Sequence, residues 1–460
     1  MDWFRTQTSS LVPDADETPL ALAAAPGGEA FAPWLAEQPD EFQVLAQANG
    51  LRGRLGQTLV SVETGQAAFG IGEAPVDPLI WGAASASLPS GLYRIEPQPD
   101  DGDMAALGWL LGDYAFDRYA SARGAAGKLL APAGVDIRRI ERIAEGVRLA
   151  RDLINTPAND LGPAELADAA AAVAERHGAS FTAVEGADLE EGFPLIEAVG
   201  RASPRAPRLI DIRWGDADKP KVTLVGKGVC FDSGGLNIKT GDYMSLMKKD
   251  MGGAANVLAL AHMIMDAGLP VRLRVLVPAV ENAVSGTAFR PGDVLSSRKG
   301  ITVEIGNTDA EGRLILADAL TLACEESPDL LIDMATLTGA ARVALGPDLP
   351  PFYTGDDGLA AEIAAAGAAV ADPTWRLPLW SNYIPNLDSS IADTNHISNG
   401  PMAGSITAAL FLQKFVDAPE RWAHFDIYGW TPKARPGRPR GGADQAARAL
   451  FELLERRYGG

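Results

Sequence analysis

The sequence predicts an α/β protein: a small N-terminal α/β domain, then a larger α/β domain with a mixed central sheet flanked by helices. From about residue 136, short apolar runs alternate with amphipathic runs of helical period, the order expected of a sheet covered by helices. Several apolar runs lead directly into glycine-rich or acidic turns that open helices, as loops do at the carboxyl ends of strands in open sheets. Upstream the pattern is less regular, and an Ala/Gly-rich stretch at 123–134, with Pro132 near its end, reads as a linker. The expected division is therefore residues 1–125, a linker at 126–135, and residues 136–460.

In the N-terminal part, 42–46 and 58–62 have strand character, and 104–120 reads as a helix carrying Trp109, Leu110, Tyr114, Phe116 and Tyr119. The acidic run Asp100-Asp101-Gly102-Asp103 suits that helix's N-terminus, where carboxylates meet free backbone N–H groups. With no His or Cys beside it, the run is not read as a metal site. In the larger part a helix at 137–154 buries Ile140, Ile143, Val147, Ala150 and Ile154 on one face. Asn155-Thr156-Pro157 stops it, and Pro163-Ala164-Glu165 starts another that runs to about 177. Strands follow at 209–214, 222–225, 273–278, 330–335 and 424–428. The helices between and beyond them are 256–267, 314–325, 359–367, 406–416 and 445–457.

The 460 residues suffice for a large core, and 47% apolar with 22% charged content is ordinary for a globular chain. A net charge of −20 argues against a general nucleic-acid or anionic-membrane binder. Lys433, Arg435, Arg438 and Arg440 form a local basic exception within a Pro/Gly-rich loop. Cys230 and Cys324 are the only cysteines, which excludes a disulfide framework and a cysteine zinc site and fits a reducing compartment. Asp2, Asp14, Asp16 and Glu17 stand where a signal peptide carries positive charge, and the apolar run at 20–25 is short for a signal core. No apolar run reaches about 18 residues, so the expectation is a cytoplasmic protein without a transmembrane helix.

The chemistry gathers in three segments. Asn307-Thr308-Asp309-Ala310-Glu311-Gly312-Arg313-Leu314 lies between the extended run 301–305 and an amphipathic run at 315–324. An isolated Asp-x-Glu is more often a solvated turn with a capping Asp. Two further segments share its character, however. Val225 to Lys239 leaves an apolar strand through a glycine-rich turn carrying Lys227, Asp232 and Lys239, and Asp250-Met251-Gly252-Gly253 precedes an apolar helix. A phosphate loop needs Gly-x-x-x-x-Gly-Lys-Ser/Thr, and Gly226-Lys227-Gly228 lacks that spacing. Asp232, Asp250, Asp309 and Glu311 offer hard oxygen ligands for divalent cations. Four carboxylates balance two such ions, leaving Lys239 and Arg313 to meet developing negative charge, the pattern of a two-metal hydrolase. A surface lysine at 239 and an Arg313 salt bridge to Glu311 or Asp309 are the plain alternatives.

These segments resemble the signatures of the leucyl aminopeptidase (cytosol aminopeptidase) family, above all in the octapeptide Asn307 to Leu314. The resemblance runs from about Arg148 to Trp430 and keeps the order and spacing of seven functional positions. It implies two divalent ions (manganese, zinc or magnesium) bridged by Asp232 and Glu311. Asp309 would complete one ion; Lys227 and Asp250 would complete the other. It makes Lys239 the electrophile that stabilises the oxyanion, and Arg313 the holder of a bicarbonate acting as general base. Met247, Thr336, Leu337 and Gly339 fall where the family lines its first side-chain pocket. The implied activity is release of N-terminal, leucine-like residues from peptide substrates by metal-activated water. The implied assembly is a homohexamer, a dimer of trimers with its sites facing an interior cavity.

Other rivals are a DNA-binding protein, a catalytically inactive scaffold and a two-metal phosphatase. The chain departs from many relatives just before its last helix. Gly442-Ala443-Asp444-Gln445 stands there in place of a Gly-Arg-Pro turn, and Gly437-Arg438-Pro439 lies earlier, which puts the leucine preference in question. His177, His262, His396 and His424 lie outside the implied catalytic set and read as structural or surface residues.

Overall fold

The computed structural model describes Trp3, residues 9–120 and residues 127–459. These fall into two compact units, divided within the helix Ile137–Asn155 between Arg148 and Leu149 rather than at 126–135. The loop Lys433–Arg440 groups with the smaller unit.

The smaller unit holds a six-stranded sheet. Its strands are β1 (Leu11–Val12), β2 (Leu20–Pro26), β3 (Thr58–Ser61), β4 (Gln66–Gly72), β5 (Leu92–Ile95) and β6 (Lys128–Leu130), in the order β1-β6-β5-β2-β4-β3. All pairs are parallel except β3 with β4. Three expectations are corrected here. Residues 42–46 are not a strand but part of the helix Asp40–Ala48, which buries Phe42 and Ala46 one turn apart, with Asp40 and Glu41 in its first turn. The expected helix at 104–120 is Gly102–Gly112, capped by Asp101, whose side chain accepts from the Met104 N–H at 2.9 Å. It ends at Gly112, a poor helix former, before Tyr114, Phe116 and Tyr119. The expected linker contains β6, which pairs with both β1 and β5; residues 121–126 lie outside the described ones. Arg438 of the basic loop is ion-paired to Asp77 at 3.2 Å.

The strands of the larger unit are β7 (Ser180–Glu185), β8 (Arg208–Trp214), β9 (Lys221–Gly226), β10 (Gly228–Asp232) and β11 (Arg272–Asn282). They continue with β12 (Val294–Ser296), β13 (Thr302–Glu304), β14 (Leu330–Ala335), β15 (Pro351–Thr354), β16 (Trp375–Arg376), β17 (Thr394–Asn395) and β18 (Trp422–Asp426). Nine of them form a mixed sheet ordered β16-β15-β18-β14-β9-β11-β8-β7, with β10 added beside β11. The centre, β18-β14-β9-β11, is parallel, while β8 and β15 run antiparallel to their inner neighbours. Parallel strands are covered on both faces and so read as mainly apolar runs, as β14 does: all six residues are buried, and Asp333 is the one polar residue among them. Strands 222–225, 273–278 and 330–335 were legible for that reason; 209–214 lies in β8, which is antiparallel to both neighbours and partly exposed. The strand expected at 424–428 is Trp422–Asp426, two residues earlier. The run at 301–305 supplies β13, which joins β12 and β17 in a separate three-stranded sheet.

Helix Gly252–Ala267 is buried along nearly its whole length and stops at Gly268, whose φ of 64° gives the left-handed turn that ends many helices. Helix Glu311–Cys324 is buried likewise and packs in one core with Leu195, Val225, Leu276, Phe411 and Trp422. Cys230 and Cys324 are buried free thiols. No helix among the described residues is long and apolar enough to cross a membrane.

Candidate metal centre and substrate cavity

Five chain segments meet at the carboxyl ends of β9, β10 and β14. Lys227 follows β9, Asp232 ends β10, and Thr336 follows β14. Asp250 closes the 3-10 run Gly241–Met251; Asp309 lies in the 3-10 turn Thr308–Ala310, and Glu311 opens the helix behind it. Asn307 caps that turn, its side chain accepting from the Asp309 N–H at 2.8 Å. Gly234 has φ +88°, and a Cβ there would lie 2.9 Å from an Asp309 carboxylate oxygen, so only glycine lets the β10 loop approach this closely.

The carboxylates and lysines interleave. Lys227 Nζ lies 2.8 Å from Asp250 Oδ2 and 3.0 Å from Glu311 Oε1, and donates to the Thr336 carbonyl at 3.0 Å. Lys239 Nζ lies 2.6 Å from both Asp232 Oδ2 and Asp309 Oδ1. Asp232, Asp309 and Glu311 each bring an oxygen within 4.8 Å of the others. Asp250 Oδ1 accepts from the Thr336 hydroxyl at 2.9 Å. Asp250 Oδ2 and Asp309 Oδ1 receive no hydrogen bond of acceptable geometry. Their contacts with the ammonium groups are electrostatic rather than directed.

Charge is out of balance. Four carboxylates face two ammonium groups, an excess of two negative charges in a largely buried space. Burial acts to lower the Lys227 pKa, but Asp250, Glu311 and Asp232 outweigh it and hold it above the ordinary lysine value; Lys239 is raised by its carboxylates in the same way. Burial, then Glu311 and Asp250, push the Asp232 carboxyl well above the usual range. Asp250 is pushed up to about 6, chiefly by burial, and Asp309 is raised by burial too. Only Glu311 falls below its ordinary value: burial opposes this, but Lys227 and Lys239 prevail. Protons in such a cluster belong to the group of residues, not to one member. The donor set, the excess charge and the two undirected carboxylate oxygens all suit divalent cations.

Arg313 is buried behind this cluster, 7% exposed, and does not line the cavity. Its Nη1 donates to the His396 carbonyl at 2.6 Å, while its Nε has no partner. Burial lowers its pKa to about 10, against the opposing pull of Asp426 and Glu311. The free N–H and retained positive charge suit a small anion. His396 itself braces the octapeptide, its ring 2.9 Å from the Asn307 carbonyl. His424 pairs with Asp333 at 2.6 Å, and His177 with His262 at 2.9 Å.

A cavity of about 500 Å³ opens on the cluster. Lys227, Asp232, Lys239, Asp250 and Asp309 line it, as do all four expected pocket residues, Met247, Thr336, Leu337 and Gly339. A larger cavity, about 780 Å³, lies at the other end of the sheet by the starts of β9 and β11. Its arginines are already paired, Arg213 with Glu326 at 2.7 Å and Arg274 with Asp211 at 2.7 Å, and ligands of open α/β sheets favour the carboxyl ends of strands.

Sequence reasoning missed three residues here. Asn282, at the end of β11, donates to Asp232 Oδ1 at 2.8 Å and to the Thr308 carbonyl at 2.9 Å, tying two ligand segments together. Asp426, at the end of β18, accepts from the Leu337 N–H (3.1 Å), the Thr338 N–H (3.0 Å), the Thr338 hydroxyl (2.6 Å) and the Ser405 hydroxyl (2.7 Å). Lys249 lines the cavity beside Asp250. A polar residue ending an apolar strand was the available signal for the first two.

The profile of the cytosol aminopeptidase family, catalytic domain, matches residues 148–451. The chain belongs to the cytosol aminopeptidase family. It is similar to a probable cytosol aminopeptidase of Syntrophotalea carbinolica, 43% identical over 81% of this chain and 78% of the relative. A probable cytosol aminopeptidase of Xanthomonas axonopodis pv. citri is 46% identical over 69% of this chain and 67% of the relative. Among solved structures, the cytosol aminopeptidase of Coxiella burnetii superposes with a TM-score of 0.91 at 46% identity, covering 98% of this chain and 99% of that one. The bottromycin maturation enzyme BotP, solved in complex with Mn, gives 0.83 at 34% identity, covering 96% and 100%. The protein is thus an aminopeptidase, a hydrolase acting on peptides from their N-terminus, with an acidic cluster able to hold metal.

Proposed function

We propose that this aminopeptidase works with two divalent metal ions, manganese or zinc and alternatively magnesium, and releases leucine-like N-terminal residues from peptides in the cytoplasm. One observation carries the reading: Asp232, Asp250 and Asp309 line a single cavity with Glu311 buried beside them, and the four carboxylates exceed the charge of the two lysines among them. Asp232, Glu311, Asp309, Asp250 and Lys227 would hold the ions, with Asp232 and Glu311 shared between the two, Asp309 completing one site and Asp250 with Lys227 the other. When bound, the pair of ions lowers the pKa of a shared water and polarises the scissile carbonyl.

The chain's own residues do the rest. Lys227 serves as a ligand after giving up its proton, which positive charge brought between Asp250 and Glu311 favours. Lys239, on the cavity wall, turns its ammonium to the oxyanion of the tetrahedral intermediate. Arg313, buried behind the carboxylates with an unpartnered Nε, would hold the bicarbonate that the family resemblance implies as general base. A substrate α-ammonium is drawn to the carboxylate-rich end of the cavity, which restricts cleavage to the first bond. Met247 and Leu337 give the first side chain an apolar wall. The chain works as a homohexamer, as the family resemblance implies.

The test is hydrolysis of leucyl-p-nitroanilide by metal-stripped protein, with and without added manganese or zinc, beside Asp309→Ala and an N-acetylated substrate. Metal-dependent release, lost in the variant and with the blocked substrate, is expected. Metal-loaded protein that cleaves none of a panel of aminoacyl amides overturns the reading. Light scattering tests the assembly, and a monomer at working concentration refutes it.

A further inference from the structure

Two cations on the cavity wall face an aromatic ring and, among the described residues, no carboxylate partner. Lys249 is 5% exposed, and its Nζ lies 4.5 Å from the centroid of the Tyr428 ring. Arg342 is half-buried, with Cζ 5.5 Å from that ring and 5.8 Å from the ring of Tyr243. Both line the cavity. Among the described residues, neither side chain forms an ion pair or donates a hydrogen bond. The cavity's other cations are engaged: Lys227 with Asp250 and Glu311, Lys239 with Asp232 and Asp309.

The nearby carboxylates do not relieve them. Asp426 already accepts two N–H groups and two hydroxyls, and Asp250 is turned to Lys227 and Thr336. An ammonium withdrawn from water without acceptors is unfavourable, and a ring face offsets only part of that. Two such cations against one ring, facing a cavity, form a receptor for an anion. Lys249 is also held in place, since it stands in the 3-10 run next to Asp250, which is tied to Lys227 and Thr336. Arg342 adds a planar fork matched to a carboxylate.

We propose that Lys249 and Arg342 form a carboxylate subsite within the substrate cavity, so that preferred peptides carry a carboxylate close to the bond that is cut. The inference rests on the aminopeptidase reading of this cavity and sharpens its leucine-like preference: the apolar wall takes one part of the substrate, the cation pair another. The carboxylate comes either from an acidic side chain at the first or second position or from the free C-terminus of a dipeptide.

The experiment uses the full-length, metal-loaded enzyme and pairs of substrates that differ only in one carboxylate. Glutamyl- against glutaminyl-p-nitroanilide reads the first side chain, Leu-Glu-amide against Leu-Gln-amide the second, and Leu-Gly against Leu-Gly-amide the C-terminus. In at least one pair the acid is expected to lead in kcat/KM by about tenfold, the worth of one charged hydrogen bond, with the gain in KM. That ratio falls towards one in Lys249→Met and in Arg342→Met. An enzyme that cleaves leucyl-p-nitroanilide but shows ratios of one or less in all three pairs overturns the subsite, whether or not the variants fold. So does a ratio that persists in both variants. An enzyme inactive on every substrate refutes the reading of the cavity itself, and the subsite falls with it.

Discussion

Gly312 sits in the first turn of the helix that Glu311 opens, and replacing it with alanine sets two effects against each other. In a helix, alanine is favoured over glycine by about 1 kcal/mol. Against that, a Cβ at position 312 would lie 2.5 Å from Lys227 Cε and 2.7 Å from both Cδ and Nζ, where ordinary contact begins at 3.4 Å. The lysine must retreat by about 1 Å, the shortfall from ordinary van der Waals separation. It has nowhere to go without loss. Its Nζ is fixed at 2.8 Å to Asp250, 3.0 Å to Glu311 and 3.0 Å to the Thr336 carbonyl, all buried. Breaking a buried ion pair of this kind costs about 3–5 kcal/mol, so the clash outweighs the helix gain.

The expected result for Gly312→Ala is a lower Tm for metal-free protein, by several degrees, and a loss of metal-dependent aminoacyl-p-nitroanilide hydrolysis of tenfold or more. Differential scanning fluorimetry and a metal titration read the two effects separately. Because a chain of two units need not unfold in one step, the shift is reported as Tm and not as a free energy. An unchanged or raised Tm with wild-type turnover would mean that Lys227 is free to move. The account of the cluster as a rigid, fully committed set of contacts would then be wrong.

Three other expectations follow from the same geometry. Asn282→Leu removes the donor 2.8 Å from Asp232 without adding charge, so metal affinity should drop by about 10–100-fold, the usual scale for residues that orient ligands; a competition titration with a metal indicator that gave wild-type affinity would contradict this. Asp426→Asn replaces one of two acceptor oxygens holding the Leu337–Thr338 turn, so KM for leucyl-p-nitroanilide should rise by about tenfold as one charged hydrogen bond is lost; steady-state kinetics showing a change in kcat alone would point away from the pocket. His396 is buried with its pKa lowered to about 4, first by burial and then by Arg313. The unfolded chain takes up that proton near 6.5 and the folded one only near 4, so stability is lost as pH falls through that window, by up to ~3 kcal/mol. A Tm series from pH 7 to 4.5 should flatten in His396→Gln, and parallel curves for the two proteins would rule the histidine out.

Legibility in the sequence tracks how local the determinants are. The octapeptide places cap, ligands and helix start within eight residues, each readable from its neighbours: Asn307 caps the turn, and Glu311 meets the free N–H groups of the helix it opens. The central parallel strands were legible because burial on both faces leaves short, mainly apolar runs bounded by polar turns. Residues 42–46 were misread because the short, mainly apolar run Phe42-Gln43-Val44-Leu45-Ala46 fits a strand as well as a helix. The spacing that decides is Phe42 to Ala46, one helical turn, with Val44 left 68% exposed.

The residues that escaped are those whose role exists only after folding. Asn282 reaches Asp232 across 50 positions and Asp426 reaches Leu337 across 89; each ends an apolar strand, but nothing beside it in the chain names its partner. The two kinds of residue answer different questions. Carboxylates and lysines set the reaction, and their types and spacing survive in the linear sequence because metal chemistry admits few substitutes. Which peptide is cut depends on whether a cation such as Lys249 finds a partner inside the chain or is left for the substrate. That is a property of three-dimensional accounting among all the surrounding acceptors, and no window of sequence contains it.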